Sequence, residues 1–282
     1  MTIRGLIVIV ACAVLIRCAT AQQGDYQTVE LGAVCPIAQA TGHEHDAALE
    51  TLRAEVESTG GQTLLVLHRG QLAYRWSADD RFEPIEMMSA TKSLLALAVA
   101  ALVTDRTLES FDVKVADLIE EFARANPPGT PGASITVRDL MSHTSGLSPI
   151  NTGEIYAAQD VLALALSRPV SLPIRRSFSY NNSAVNLLAG TVSRVAGMPA
   201  DEYIARRLFA PMGITRYAWY RDPAGNPHGM AGCKLDALDA AKLGQLLLNG
   251  GSFGDRQLIQ PDLIAELTRP GQPLLTRCGL LW

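Results

Sequence analysis

Met88-Ser89-Ala90-Thr91-Lys92-Ser93-Leu94-Leu95-Ala96-Leu97-Ala98-Val99-Ala100-Ala101-Leu102-Val103-Thr104 decides how the chain is read. From Ser93 to Thr104 it carries no charge, and Leu94 to Val103 is strongly apolar. Such a run is too short to span a bilayer and fits a helix buried in a protein core. At the head of that helix, positions i and i+3 share a face, which brings the Ser89 hydroxyl beside the Lys92 amine. A serine hydroxyl is a weak nucleophile until a neighbouring base takes its proton. A lysine amine can be that base only if its pKa is pulled down. Burial and the positive end of a helix dipole both act in that direction. Ser-x-x-Lys alone recurs by chance, so its meaning depends on partners elsewhere.

Working outward, Asp46 to Ser58 reads as a helix stopped by Gly60-Gly61. Thr63 to His68 and Gln71 to Trp76 read as strands joined at Arg69-Gly70, a hairpin signal. Beyond Thr104 the pattern is mainly helical. Helices are predicted over Val113–Ala125, Gln159–Ser167, Ala184–Val195, Ala200–Ala210 and Leu238–Asn249, with a further one starting at Pro261. Thr136-Val137-Arg138-Asp139 is a capping box opening a short helix that ends near His143. A hairpin followed by helices, without β-α-β alternation, predicts an α+β fold. The expected architecture is an antiparallel sheet flanked by helices, with an all-helical subdomain over about residues 105–250.

The ends carry their own signals. Arg4, the apolar stretch Gly5 to Ile16 and Ala19-Thr20-Ala21 form a secretory signal peptide pattern, with cleavage expected after Ala21. Export to the periplasm or medium follows. Arg17 before Cys18 suits a lipid-anchor signal poorly. Residues 22–45 read as a polar leader and 46–282 as the folded domain. Without residues 1–21 the net charge is near −6, against −4 for the whole chain. This speaks against nucleic acid as a partner, since phosphate backbones are bound by clustered Lys and Arg. Cys35, Cys233 and Cys278 would remain, too few for a disulfide framework. No Cys-x-x-Cys occurs, and neither a metal nor another cofactor is expected. Oligomeric state is left open.

A second motif lies about ninety residues after the first. Phe178-Ser179-Tyr180-Asn181-Asn182-Ser183 stands just before the Ala184 helix, and Tyr180 and Asn182 can both project from such a loop. A phenol beside a lysine can share its proton and pass it to a leaving group, while an amide can hold the lysine and a substrate carbonyl. Taken alone, the segment reads first as an ordinary capping loop, with Asn182 or Ser183 as N-cap.

Together, Ser-x-x-Lys and Tyr-x-Asn resemble the serine β-lactamase and penicillin-binding superfamily, most closely its class C branch. The resemblance extends to Leu65–Trp76, Thr136–Leu147, Leu208–Ile214 and Leu238–Gly251, and covers the chain from about residue 46 onward. It implies an exported serine hydrolase that cleaves an ester or amide bond through a Ser89 acyl-enzyme, as in esterases, D-alanyl carboxypeptidases and β-lactamases. By the same resemblance Lys92 and Tyr180 share base and acid duty. Asn182 orients the lysine and binds the substrate, a small molecule or peptide. An esterase or peptidase is favoured over a true β-lactamase. The family's third motif, Lys-Thr-Gly or His-x-Gly on a late strand, is not found after Tyr180, and Cys278–Trp282 resembles the segment just before it. The expectation is therefore a C-terminally truncated chain, short of one oxyanion donor and of sheet strands, and weakly active or inactive. A non-catalytic sensor that binds β-lactams or peptides is the alternative.

Weaker patterns are set aside on physical grounds. His43-Glu44-His45 has no further ligands nearby. His143, Ser145 and Asp139 suggest a Ser-His-Asp triad, but all fall on one helix end and its turn, where capping explains them. No Gly-x-Ser-x-Gly elbow occurs, which argues against an α/β-hydrolase. The sequon Asn181-Asn182-Ser183 is read as coincidence, because a glycan there would block the site. Asn249 to Gly254 is a glycine-rich turn, and Asp236 and Asp239 serve a helix N-terminus.

Overall fold

The structure, a computed structural model, describes residues 8–11, 27–30, 46–68, 70–79, 83–270 and 278–282. The strands are β1 (Val8–Ala11), β2 (Gln27–Glu30), β3 (Thr63–His68), β4 (Gln71–Ser77), β5 (Ile85–Glu86), β6 (Arg216–Trp219), β7 (Cys233–Leu235), β8 (Ser252–Phe253) and β9 (Arg256–Gln257). They form antiparallel sheets ordered β1-β3-β4, β2-β6-β7-β5 and β8-β9. The α+β prediction holds.

The predicted hairpin forms as β3–β4, with a register shift between Val66 and Leu67. β3 is apolar from Leu64 to Leu67 because both its faces are covered there. Leu64 and Val66 pack with Leu49, Leu52 and Val56 of the helix Asp46–Ser58, while Leu65 and Leu67 pack with Ala237 and Ala241 of the helix Ala237–Leu248. This is the period-2 alternation of a strand read between two layers.

The charge-free run is the centre of the main core. Leu94 to Leu102 are all buried, and their helix (Thr91–Thr104) packs against the helices Asn182–Ala196 and Ala200–Ile204. Burying each Leu or Val side chain there contributes roughly 1.5–3 kcal/mol.

Several predicted elements differ in detail. Val113–Ala125 is two short helices, Val115–Leu118 and Glu120–Ala125, separated at Ile119, whose φ of −126° is extended. Burial of Ile119 in the core outweighs helical continuity there. The helix Thr152–Ala157, capped by Asn151, had no clear periodicity in the sequence. Ala200–Ala210 is α-helical to Ile204 and then runs through a wider turn, Ala205–Phe209. The supposed all-helical region also contains β6 and β7, strands of four and three residues, too short to show alternation.

Two strands fall in segments set apart from the fold. β2 lies in the polar leader and pairs with β6. β1 lies within the stretch read as a signal peptide and pairs with β3 from Val8↔Leu67 to Ala11↔Leu64. The outer edge of β3 offers unpaired N–H and C=O groups, and an apolar extended segment satisfies them. The expected cleavage site at Ala21, Cys18, Cys35 and His43-Glu44-His45 lie outside the described residues.

Candidate active site

The approach to Ser89 is a tight turn clamped on both sides. Met88 takes a φ of +46°, a left-handed conformation uncommon outside glycine. Met88–Ala90 is a 3₁₀ turn rather than the start of the α-helix, which begins at Thr91. Before the turn, the Met87 N–H donates to the Cys233 carbonyl at 2.8 Å. After it, the Cys233 N–H donates to Thr91 Oγ1 at 3.3 Å. The Ser89 turn is thus tied to β7, and Ser89 itself is exposed.

Lys92 Nζ donates to Ser89 Oγ at 3.1 Å and to the Met230 carbonyl at 2.6 Å. The lysine is buried, and burial pulls its pKa from 10.5 down to about 7. Tyr180 Oη lies 2.9 Å from Ser89 Oγ, and Lys92 Nζ sits 5.0 Å from the centroid of the Tyr180 ring. Amine and phenol therefore both meet the one hydroxyl, although Tyr180 lies 91 residues from Ser89.

Asn182 takes a different place from the one expected. It is the first residue of the helix Asn182–Ala196, and Asn181 is the N-cap, its Oδ1 accepting from Ala184 N–H at 3.0 Å. Asn182 Nδ2 donates to Thr152 Oγ1 at 3.1 Å, while its Oδ1 is buried without a partner among the described residues. Among the described residues the Lys92 amine is hydrogen-bonded to the Met230 carbonyl and to Ser89, with no hydrogen bond to Asn182. Asn186 holds the segment 228–230, its Oδ1 accepting from the N–H groups of Gly229 and Met230 at 2.9 and 3.2 Å. Sequence reasoning missed Asn186 and Met230. Only a polar residue inside the apolar run Ala184 to Leu188 hinted at the first.

The triad pattern does not assemble. The Asp139 carboxylate is engaged by the Thr136 N–H and Oγ1 and by Arg175 Nε and Nη2, at 2.7–2.9 Å. His143 Nδ1 accepts from the Asn181 N–H at 3.2 Å, and Ser145 Oγ meets the Leu147 N–H. Asp139 also completes the predicted capping box. The sequon is closed to modification, since Asn181 is buried and its Nδ2 donates to the Leu147 carbonyl. Asp236 caps the helix Ala237–Leu248, whereas Asp239 forms a buried ion pair with Lys242 at 2.7 Å. Among the described residues Cys233 and Cys278 form no disulfide, and burial pushes the Cys233 thiol pKa up.

A cavity of about 210 Å³ adjoins Ser89, lined mostly by apolar groups, among them Met141, Phe178, Leu281 and Trp282. Cys278–Trp282 is held beside it by Ser93 Oγ, which donates to the Leu281 carbonyl at 2.8 Å, and by the Leu280 N–H, which donates to the Leu267 carbonyl. Chemically the arrangement provides an exposed hydroxyl, a buried amine able to be neutral near pH 7, and a phenol, all beside an apolar space.

Residues 47–272 match the family model described as Beta-lactamase. A Bacillus subtilis (strain 168) protein, "Putative penicillin-binding protein PbpX", is 27% identical over 152 residues, 52% of this chain and 36% of that protein. An Escherichia coli (strain K12) protein, "Putative D-alanyl-D-alanine carboxypeptidase", is 22% identical over 290 aligned positions, 78% of this chain and 67% of that one. This chain thus spans about a third of the first of these relatives. Among solved structures, a Bacillus anthracis protein, "Putative 6-aminohexanoate-dimer hydrolase", superposes with a TM-score of 0.75 at 18% identity, over 92% of this chain and 76% of that one. That likeness establishes the fold.

Proposed function

This chain belongs to the beta-lactamase family, a family of serine hydrolases, and from that premise we propose that it cleaves an ester or amide bond through a Ser89 acyl-enzyme. The observation that carries the proposal is the convergence on Ser89 Oγ of Lys92 Nζ at 3.1 Å and Tyr180 Oη at 2.9 Å.

The geometry supports a role for each residue. Neutral Lys92 has a lone pair for the Ser89 proton as Oγ attacks the substrate carbonyl. The Ser89 N–H, in the 3₁₀ turn just before the α-helix, is the proposed donor to the developing oxyanion. Tyr180 passes a proton to the departing alcohol or amine, and the same pair then activates water against the acyl-enzyme. By the family resemblance Asn182 is the proposed substrate-binding residue; its Oδ1 is buried without a partner among the described residues. The proteins named as penicillin-binding protein, D-alanyl-D-alanine carboxypeptidase and 6-aminohexanoate-dimer hydrolase make peptide amides and simple esters the substrates to test first, within the class C branch. Export is part of the proposal and rests on residues 1–21.

The test is purified protein incubated with a nitrophenyl ester and, separately, with a β-lactam, followed by intact mass spectrometry. A transient acyl mass located on Ser89, with turnover lost in Ser89→Ala, is the expected result. A stable β-lactam adduct without turnover of either compound supports the sensor instead. No adduct with either removes the acyl-enzyme reading. For export, the N-terminus of protein from the native source begins at Gln22, and retention of Met1 opposes it.

A further inference from the structure

His143 belongs to no catalytic step above, yet it makes more contacts to the Tyr180 segment than any capping role needs. Its carbonyl accepts from the Ser179 N–H at 2.9 Å, and its Nδ1 accepts from the Asn181 N–H at 3.2 Å. The residues immediately before and after Tyr180 are therefore both fastened to this one histidine. Its ring lies against the Tyr180 ring with centroids 4.6 Å apart, and meets Phe178 edge-on at 5.8 Å. We propose that His143 is a positioning residue that holds the Tyr180 phenol against Ser89 by clamping both the backbone and the ring of Tyr180. The inference rests on the acyl-enzyme reading of Ser89.

Tyr180 needs such a clamp. It is 50% exposed, so packing alone does not fix its ring, and a free tyrosine side chain would lose rotamer entropy on settling over Ser89. Misplacement of a catalytic group by about 1 Å can cost a hundredfold in rate.

The clamp is itself rigid. His143 has a φ of +57°, a left-handed conformation rare for a residue of its size. It is held there by the Thr144 N–H donating to the Asp139 carbonyl at 2.9 Å and by Ser142 Oγ donating to the Arg138 carbonyl at 2.8 Å. Because Nδ1 accepts a backbone N–H, the ring is neutral with its proton on Nε2. Burial, with Lys92 nearby, pushes its pKa down to about 4, so the clamp persists across the working range.

A double-mutant cycle tests this, with His143→Asn and Tyr180→Phe, singly and together, assayed for nitrophenyl ester turnover. Asn tolerates the left-handed backbone and can accept the Asn181 N–H but offers no ring. His143→Asn is expected to lower kcat about 10- to 100-fold with KM changed less than about threefold, and to cost little further in the Tyr180→Phe background. An equal loss in both backgrounds, or an unchanged kcat, overturns the proposal. Should His143→Asn not fold, His143→Gly, which takes the left-handed backbone freely and likewise lacks the ring, carries the same cycle. A crystal structure of the variant gives a readout independent of turnover. Tyr180 Oη displaced from Ser89 supports the clamp, and Oη still within hydrogen-bond distance overturns it. If the wild-type chain neither turns over ester nor acylates at Ser89, it is the hydrolase reading that fails, and the crystallographic comparison still decides the clamp.

Discussion

Lys92 Nζ lies 2.6 Å from the carbonyl oxygen of Met230, a residue 138 positions further along the chain. That carbonyl accepts a hydrogen bond from the amine without supplying a negative charge. The lysine is thereby held in place while burial keeps it poised near neutrality. A carboxylate in the same place would hold the amine equally well but stabilise the ammonium, the wrong form for a base.

If the Met230 carbonyl sets the lysine, its support matters as much as the lysine does. Asn186→Ala removes the acceptor for two buried N–H groups, and unsatisfied buried donors cost about 1–3 kcal/mol each. Unfolding in urea is expected to show a loss of that order. Ester kcat should fall about 10- to 100-fold in the protein that remains folded. A destabilised variant with wild-type kcat would separate Asn186 from the site.

The lysine must be neutral to accept the Ser89 proton, and burial places its pKa at about 7. The acid limb of kcat/KM is therefore expected near pH 7, with activity falling about tenfold per pH unit below it. A pH–rate profile flat from pH 5 to 8 would assign the base elsewhere.

The same shift has a consequence for stability. The folded chain releases the Lys92 proton at about pH 7, whereas the unfolded chain holds it until about 10.5. Between these values the unfolded state binds more protons, so stability rises with pH. Lys92→Met removes this contribution. The stability difference, wild type minus variant, is expected to increase from pH 7 to pH 10 in paired denaturant titrations and to level off below 7. No pH dependence in that difference would show that Lys92 is not desolvated in solution.

Tyr180→Phe deletes only the hydroxyl that touches Ser89 Oγ at 2.9 Å. Loss of a positioned acid–base group costs about 10²- to 10⁴-fold, and it should appear in kcat with KM nearly unchanged. Melting temperature is expected to stay within a few degrees of wild type because the ring remains. Steady-state kinetics with one ester decides the point.

Away from the chemistry, Asp139 ties the turn 136–146 to Arg175 and so to the loop that carries Tyr180. Arg175 is half exposed, which weakens the ion pair, but the Thr136 bonds are buried. Asp139→Ala is expected to cost about 2 kcal/mol, measured by urea midpoint, with Thr136→Ala near 1 kcal/mol.

Some of this was legible along the chain because it depends on neighbours in sequence. The buried helix after Ser89, the hairpin at Gly70 and the Thr136–Asp139 capping box follow from local periodicity and short-range hydrogen bonds. Strands β6 and β7 were not legible. With three or four residues each, they are fixed by partners distant in the chain and not by their own pattern. The motifs also misplaced a detail. Spacing put Tyr180 and Asn182 in one loop, but Asn181 caps the helix and leaves Asn182 inside it, turned toward Thr152.

By itself the sequence singled out the Ser89–Lys92 pair that the proposed chemistry uses. Ser89 and Lys92 are three residues apart, and any helical turn brings such a pair together. Tertiary structure alone decided the rest: that Tyr180 reaches Ser89, that Met230 holds the lysine, and that His143 lies against the tyrosine. Each of those contacts closes a loop of tens of residues, from 37 for His143 and Tyr180 to 138 for Lys92 and Met230. Local propensity says nothing about which distant segments meet. The burial of the core around Leu94–Leu102 selects those meetings, and the same burial lowers the lysine's pKa.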